Sequence, residues 1–247
     1  MHLNSDNNSY VPPYLYRFVG GKRLWDIVRY NRLYVPRRTE LNDPFDGRVK
    51  LKVPDAQREA EIQSRVDRQM RVLSFSGGDS AATHPLLWAH YADGNKGACL
   101  KFDMRIWTPS QIKNKGYFLH PVNYSPDRPL VDLTKMPEGR ALPGSAFGSS
   151  LQSSAGRDGI EPFLHIAFTK HEDWCYEEEW RMVCSQKDDE DKIDLLFPED
   201  SLVSVVLGLR MPKEQRQCIR YLIQTQERNT VVLEAREDHS RFRIIAE

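Results

Sequence analysis

The chain has 247 residues, 40% of them hydrophobic and 28% charged. That is ample for a buried core and excludes a wholly disordered or fibrous protein. Lys plus Arg (35) equals Asp plus Glu (35), so there is no overall positive charge to drive generic nucleic-acid binding, although a local groove for a small nucleotide stays open.

Residues 1–12 are polar, end before Pro13 and are expected to form a flexible tail. Tyr14–Val19 reads as a strand stopped by Gly20-Gly21, and Leu24, Ile27 and Val28 then recur at helical spacing. Leu33-Tyr34-Val35 returns to extended structure. Glu40–Gly47 (ELNDPFDG) is dense in turn chemistry, with Asx side chains, a proline and a glycine. There Asn42 and Asp46 are expected to bond backbone amides, with Phe45 in or near the core beside Trp174 and Trp180. Residues 55–69 read as a polar helix with few core anchors, and Met70–Ser76 as a strand. His84–Asp93 reads as a short helix with Pro85 in its first turn and Gly94 after its end. Strands follow over Gly97–Asp103 and Tyr117–Tyr124. From 125 to about 159 the chain is rich in Pro, Gly and Ser, which predicts a loop or lid. A helix over 160–170, a strand over Trp180–Cys184, and strand, helix, strand and strand to the end complete a mixed α+β pattern.

Cys99, Cys175, Cys184 and Cys218 have no CxxC spacing, so reduced, mostly buried thiols are expected rather than a disulfide framework or zinc finger. The opening MHLNSDNNSYVPP lacks the basic and apolar regions of a signal peptide. No apolar run approaches the ~20 residues of a bilayer span. The sequence reads as soluble and cytoplasmic.

The densest chemistry lies in Thr169–Arg181 (TKHEDWCYEEEWR). On an extended backbone Glu177 and Glu179 share a face, and two carboxylates held together cost free energy unless a cation or a reaction uses them. The bland alternative is an exposed strand end with Arg181 paired to one of them. Arg17 shares a strand face with Leu15 and Val19, so it either reaches solvent or an ion pair, or grips a phosphate. Ser74 and Ser76 place two hydroxyls on one face beside Gly77-Gly78, for turn capping or for close approach of a sugar. His90 and Tyr91 lie on an aromatic helix suited to core packing or to a planar ring. His84 and His90 match no helical metal spacing, and no metal is expected.

Three blocks occur in order: Tyr16-Arg17-Phe18 with Leu41–Asp46; Leu73–Ser76 with Leu87–Asp93 and Gly97; and Thr169-Lys170 with Trp174, Glu177, Glu179, Trp180 and Arg181. Together they resemble a bacterial family known only as a domain of unknown function. More distantly, Arg17, Ser74-Phe75-Ser76 and Glu177-Glu178-Glu179 resemble the ordered motifs of ADP-ribosyltransferases of the arginine–serine–glutamate type, although the serine motif lacks the usual threonine.

That resemblance implies a single α+β domain over 13–247, a split β-sandwich with flanking helices, and NAD as co-substrate. Glu179 would stabilise the cation that forms when the nicotinamide–ribose bond breaks, and Glu177 would position or deprotonate the acceptor. Arg17 would grip a phosphate, Ser74 and Ser76 would orient the ribose, and Tyr91, or else Trp88, would stack on the nicotinamide beside His90. The acceptor stays open, as does association into a homo-oligomer. A role in bacterial stress or phage defence is the expected context. Two other classes stay open: a non-catalytic nucleotide-binding sensor, and an interaction module whose aromatic segments pack a partner.

Overall fold

The computed structural model describes residues 11–107, 117–134, 166–185, 193–226 and 228–247. Strand β1 (Tyr14–Val19) leads into helix α1 (Gly21–Tyr30), which buries Leu24, Ile27 and Val28 at the spacing of one helical face. Strands β2 (Arg32–Tyr34) and β3 (Lys50–Lys52) flank the turn-rich segment. Asp55 caps helix α2 (Ala56–Gln69) by accepting from the Arg58 amide at 2.8 Å, and Ile62 and Val66 are the buried anchors of that helix. Strand β4 (Met70–Ser76), helix α3 (Pro85–Tyr91) and strand β5 (Ala98–Asp103) follow as the sequence predicts.

The strand expected over 117–124 is two strands, β6 (Phe118–Pro121) and β7 (Asn123–Ser125). The break is at Val122, whose amide donates to the Glu179 carbonyl at 2.8 Å. Strand β8 (Leu130–Asp132) lies inside the stretch read as a loop or lid, while residues 135–159 of that stretch fall outside the described residues. Of the helix expected over 160–170, only 166–168 are described as helical, and β9 (Thr169–His171) already begins at Thr169. Strands β10 (Glu179–Ser185), β11 (Asp194–Leu196) and β12 (Leu202–Leu207), helix α4 (Lys213–Thr225), and strands β13 (Val231–Glu237) and β14 (Ile244–Ala246) complete the order. The last strand starts later than predicted because Asp238 folds a turn, accepting from the Ser240 amide at 2.8 Å and from Arg243 Nε at 2.5 Å.

The chain divides into two compact units. The first comprises Met1–Arg29, Ser76–Trp107 and Pro198–Glu247. Its strands run in the order β14-β13-β12-β5-β1, with β12 and β13 parallel and the other neighbours antiparallel. Parallel neighbours need a crossover, which α4 supplies. Phe18 and Trp88 meet edge to face at 5.3 Å in this core. Gly97 is required here: a Cβ at that position would lie 1.9 Å from the Val19 carbonyl oxygen.

The second unit comprises Tyr30–Phe75 and Thr108–Phe197. Here β4, β10 and β6 are neighbours in that order, β10 pairing antiparallel with β6. Val66, Met70, Val72, Phe168 and Val183 form one apolar cluster, and Ile62, Val131 and Leu133 another. Two parallel pairs, β3 with β8 and β7 with β9, tie its loops together. Both units mix helices and strands, which makes the protein α+β. Among the described residues no helix is long and apolar enough to cross a membrane. Cys99 and Cys184 are buried thiols, whereas Cys175 and Cys218 are exposed.

Candidate functional site

The site lies wholly in the second unit and starts from the turn at 41–47. Asp43 Oδ1 accepts from the Phe45 amide at 2.8 Å, which fixes the turn around Pro44. Gly47 closes it at φ +67°, where a Cβ would meet the Arg38 side chain at 2.6 Å. Arg38 in turn donates from Nη1 to the Asp46 carbonyl at 2.7 Å and from Nε to Asp67 at 2.5 Å. The turn is therefore held from three sides, and its Asp46 carboxylate is directed inward. This differs from the expectation that Asp46 would cap a backbone amide: Asp43 does that, and Asp46 is buried against Arg181.

The second contributor is the segment 169–181. A 3₁₀ helix spans Glu172–Glu177, and Glu178 takes a left-handed backbone with φ 44° before β10 begins at Glu179. A non-glycine residue there carries strain, which a well-packed site must compensate. Glu177 and Glu179 thus do not converge by sharing a strand face. They converge because the Glu178 turn brings both onto Lys170, whose Nζ donates to Glu177 Oε2 at 2.6 Å and to Glu179 Oε2 at 3.2 Å.

Arg181, two residues along β10, grips Glu179 with two nitrogens, Nε to Oε1 at 2.8 Å and Nη2 to Oε2 at 3.0 Å. Its Nη2 also reaches Asp46 Oδ1 at 2.6 Å, and Nη1 donates to the Ala167 carbonyl at 3.0 Å. The hydroxyl of Ser74 donates to Glu179, and the Tyr124 hydroxyl accepts from the Glu179 amide at 2.8 Å. All five charged residues are at least 95% buried. The exposed strand end weighed from sequence does not exist, although its pairing of Arg181 with a glutamate does.

Three carboxylates here face two cations, so the network carries one excess negative charge. Burial works to raise the Glu179 carboxyl, but Arg181 and Lys170, helped by hydrogen bonds from Arg181 and Ser74, hold it down at about 2. Burial pushes the Asp46 carboxyl up and the Glu179 charge adds to that, against the pull of Arg181 and Lys170. Lys170 is held above its ordinary range: burial opposes its charge, and Glu179, Glu177 and Asp46 more than offset that. The arrangement keeps Glu179 ionised, Lys170 protonated and Asp46 the most readily protonated of the shifted acids.

In front of this network lies a cleft of about 560 Å³. Phe45, Arg48, Arg128, Lys170 and Trp174 line it, together with the turn at 42–44 and residues 125–129. Asp46, Glu177, Glu179 and Arg181 are not among its lining residues, so Lys170 is where the buried network meets the cleft. Its Nζ sits 4.7 Å from the centroid of the Trp174 ring. Phe45 is 60% exposed, against the expectation of a core residue, and Trp174 and Trp180 are half-buried. The turn chemistry explains Phe45: Asp43 pins its amide and directs its ring outward beside Arg128.

Of the residues singled out from sequence, Ser74, Glu177 and Glu179 belong to this unit and meet as described. Arg17, Ser76, His90 and Tyr91 belong to the first unit. Arg17 is half-buried on β1 opposite Leu100, and Ser76 is buried opposite Tyr16. His90 is exposed on α3 with Tyr91 beside it at 6.1 Å between ring centroids. Trp88, weighed as a nicotinamide platform, is fully buried instead, and its indole donates to the Ala82 carbonyl at 2.7 Å. Sequence reasoning gave no functional role to Lys170, and it read Asp46 as a turn cap and Phe45 and Trp174 as core. Lys170 and Asp46 stood inside the quoted blocks, but Asp46 and Arg181 are 135 residues apart and no local pattern joins them.

Among the described residues no group of three or more His, Cys, Asp or Glu is placed to hold a metal. No curated protein and no solved structure matches the chain. Residues 87–182 match a family described as "Protein of unknown function (DUF2971)", a span that contains Leu87–Tyr91 of α3 and the whole 169–181 segment and supports a domain of unknown function.

Proposed function

We propose that the chain is an ADP-ribosyltransferase-like protein that takes NAD. The observation that carries the reading is the convergence of Glu177 and Glu179 on the Nζ of Lys170, at 2.6 and 3.2 Å. The serine and the glutamate of the resembled motif trio, 105 positions apart, meet beside a second carboxylate, Glu177, on a shared lysine.

The chemistry follows from charge. The bond between ribose C1′ and the nicotinamide nitrogen breaks with its electron pair going to the nitrogen, so nicotinamide leaves neutral and positive charge develops on the ribose. Glu179, kept ionised by Arg181 and Lys170, supplies the negative field that stabilises that charge. A lone pair of the acceptor then bonds to C1′, and Glu177 takes the acceptor's proton. Ser74 orients Glu179. Arg17, Ser76, His90 and Tyr91, to which the resemblance gives the phosphate, ribose and nicotinamide, belong to the first unit and carry no part of this reading.

One observation favours a second reading, a nucleotide-binding sensor without turnover. Glu179 is 4% exposed and both its oxygens are bonded to cations, so engaging a ribose hydroxyl means exchanging one of those bonds. Nicotinamide release, measured alongside thermal melts with and without NAD, separates the two. For the transferase, Glu179→Gln still gains thermal stability from NAD but releases nicotinamide about 10²–10³ times more slowly, and Ser74→Ala falls between. Stabilisation by NAD with no release from the wild type, whatever acceptor is offered, leaves the sensor reading. Release at the wild-type rate by Glu179→Gln removes that carboxylate from the mechanism.

A further inference from the structure

The cleft in front of Lys170 combines three features that a packing defect would not. The first is its aromatic wall. Phe45 is 60% exposed and lines the cleft, with its backbone amide held by Asp43. Trp174 faces the same space.

The second feature is cationic. Arg128 lies over the Phe45 ring at 5.0 Å, and Arg48 sits on the same wall. Arg48 is the looser of the two arginines on Asp67, at 3.3 Å against 2.5 Å for Arg38, which leaves its guanidinium able to turn to a ligand. Of the acids of the lining, Asp43 is committed to the Phe45 amide, and Asp127 and Asp173 are exposed at the rim.

The third feature is the lysine. An ammonium carries three N–H donors, and those of Lys170 on Glu177 and Glu179 account for two. The remaining one is on the only member of the buried network that lines the cleft. With two carboxylates already on it, Lys170 suits a neutral acceptor such as a ring carbonyl or a ribose hydroxyl better than a phosphate.

We propose that this cleft is the nucleotide site: a planar ring lies against Phe45 and Trp174, the phosphate is gripped by Arg48 and Arg128, and Lys170 donates its third N–H to an acceptor on the ring or ribose. Glu177 and Glu179 then act on the ligand through Lys170 as positioning residues while the nucleotide is bound in its ground state. This rests on the nucleotide reading above and adds where the ligand sits and which atoms hold it. The cleft volume falls within the ~300–1,000 Å³ of small-molecule sites.

The test uses two rim residues whose loss leaves the fold intact, since Lys170→Met strips the cation from two buried carboxylates and unfolding would obscure its effect. NAD, AMP, adenosine and inorganic pyrophosphate are titrated into the full chain, with thermal melts and tryptophan emission as readouts. AMP, with ring and phosphate, binds better than adenosine or pyrophosphate. Phe45→Ala and Arg128→Ala each melt as the wild type does without ligand, and each weakens NAD about tenfold or more. Wild-type NAD affinity in both variants overturns this assignment and leaves the NAD reading standing, with the ligand elsewhere. No response of the wild type to NAD or AMP overturns both.

Discussion

In the first unit, β5 buries Ala98, Cys99, Leu100 and Phe102, and β12 beside it buries Leu202, Val205, Val206 and Leu207. In the second unit, β10 buries Glu179 and Arg181 at comparable depth, next to Met182 and Val183. Both strands sit inside sheets, but the first is stabilised by removing apolar surface from water while the second must also satisfy charges in a low-dielectric place. A buried ion pair is weak evidence of stability, because apolar residues of the same shape commonly do as well. The network in β10 meets the cleft at Lys170, which is where the proposed function puts its work.

The contrast is broken or sharpened most strongly by deleting one large side chain from each unit. Arg181→Met leaves Glu179 and Asp46 buried without their guanidinium and is expected to cost about 3–5 kcal/mol in urea unfolding. Trp88→Ala removes a fully buried ring and is expected to cost about the same, 3–5 kcal/mol. The distinction is in pH. Acidification protonates the orphaned carboxylates and shrinks the cost of Arg181→Met, whereas the cost of Trp88→Ala stays constant. Equal pH dependence in the two variants would erase the contrast.

A smaller effect isolates Glu179. A carboxyl held down from 4.5 to about 2 contributes about 3 kcal/mol, fully present above pH 4.5 and lost as pH falls towards 2. Asp46 works the other way: its carboxyl is raised, so it favours the folded state increasingly as pH falls and less as pH rises. Glu179→Gln removes the first contribution and lessens the smaller second one, so the acid limb of its stability profile is flatter than that of the wild type. A limb as steep as the wild type's would assign acid unfolding to other groups. At the small end stands Phe242, fully exposed in the first unit; Phe242→Ser is expected to change stability by no more than about 0.5 kcal/mol.

Much of the fold was legible because its signals are local. The apolar period of α1, Pro85 at the start of α3 and the β-rich runs of β1, β4 and β5 act within a few residues of themselves. What was missed depends on partners distant in sequence. The run over 117–124 reads as one strand, yet β6 pairs with β10 and β7 with β9, and no local pattern encodes that change of partner. The glutamate pair was expected to converge and does, but by a different geometry, since period-two alternation cannot foresee a left-handed Glu178. Asp46 resembled an ordinary turn aspartate until Arg181 arrived from another strand, and Phe45 resembled core because hydrophobicity alone does not say which way a pinned turn directs a ring.

The central claim is that the chain takes NAD, and a calorimetric titration of the wild-type protein with NAD tests it most directly. The account predicts a saturable heat with one NAD per chain and a midpoint within about 1 μM–1 mM, the range usual for enzymes and their co-substrates. No heat above dilution at millimolar NAD, together with an unchanged melting temperature, would contradict it.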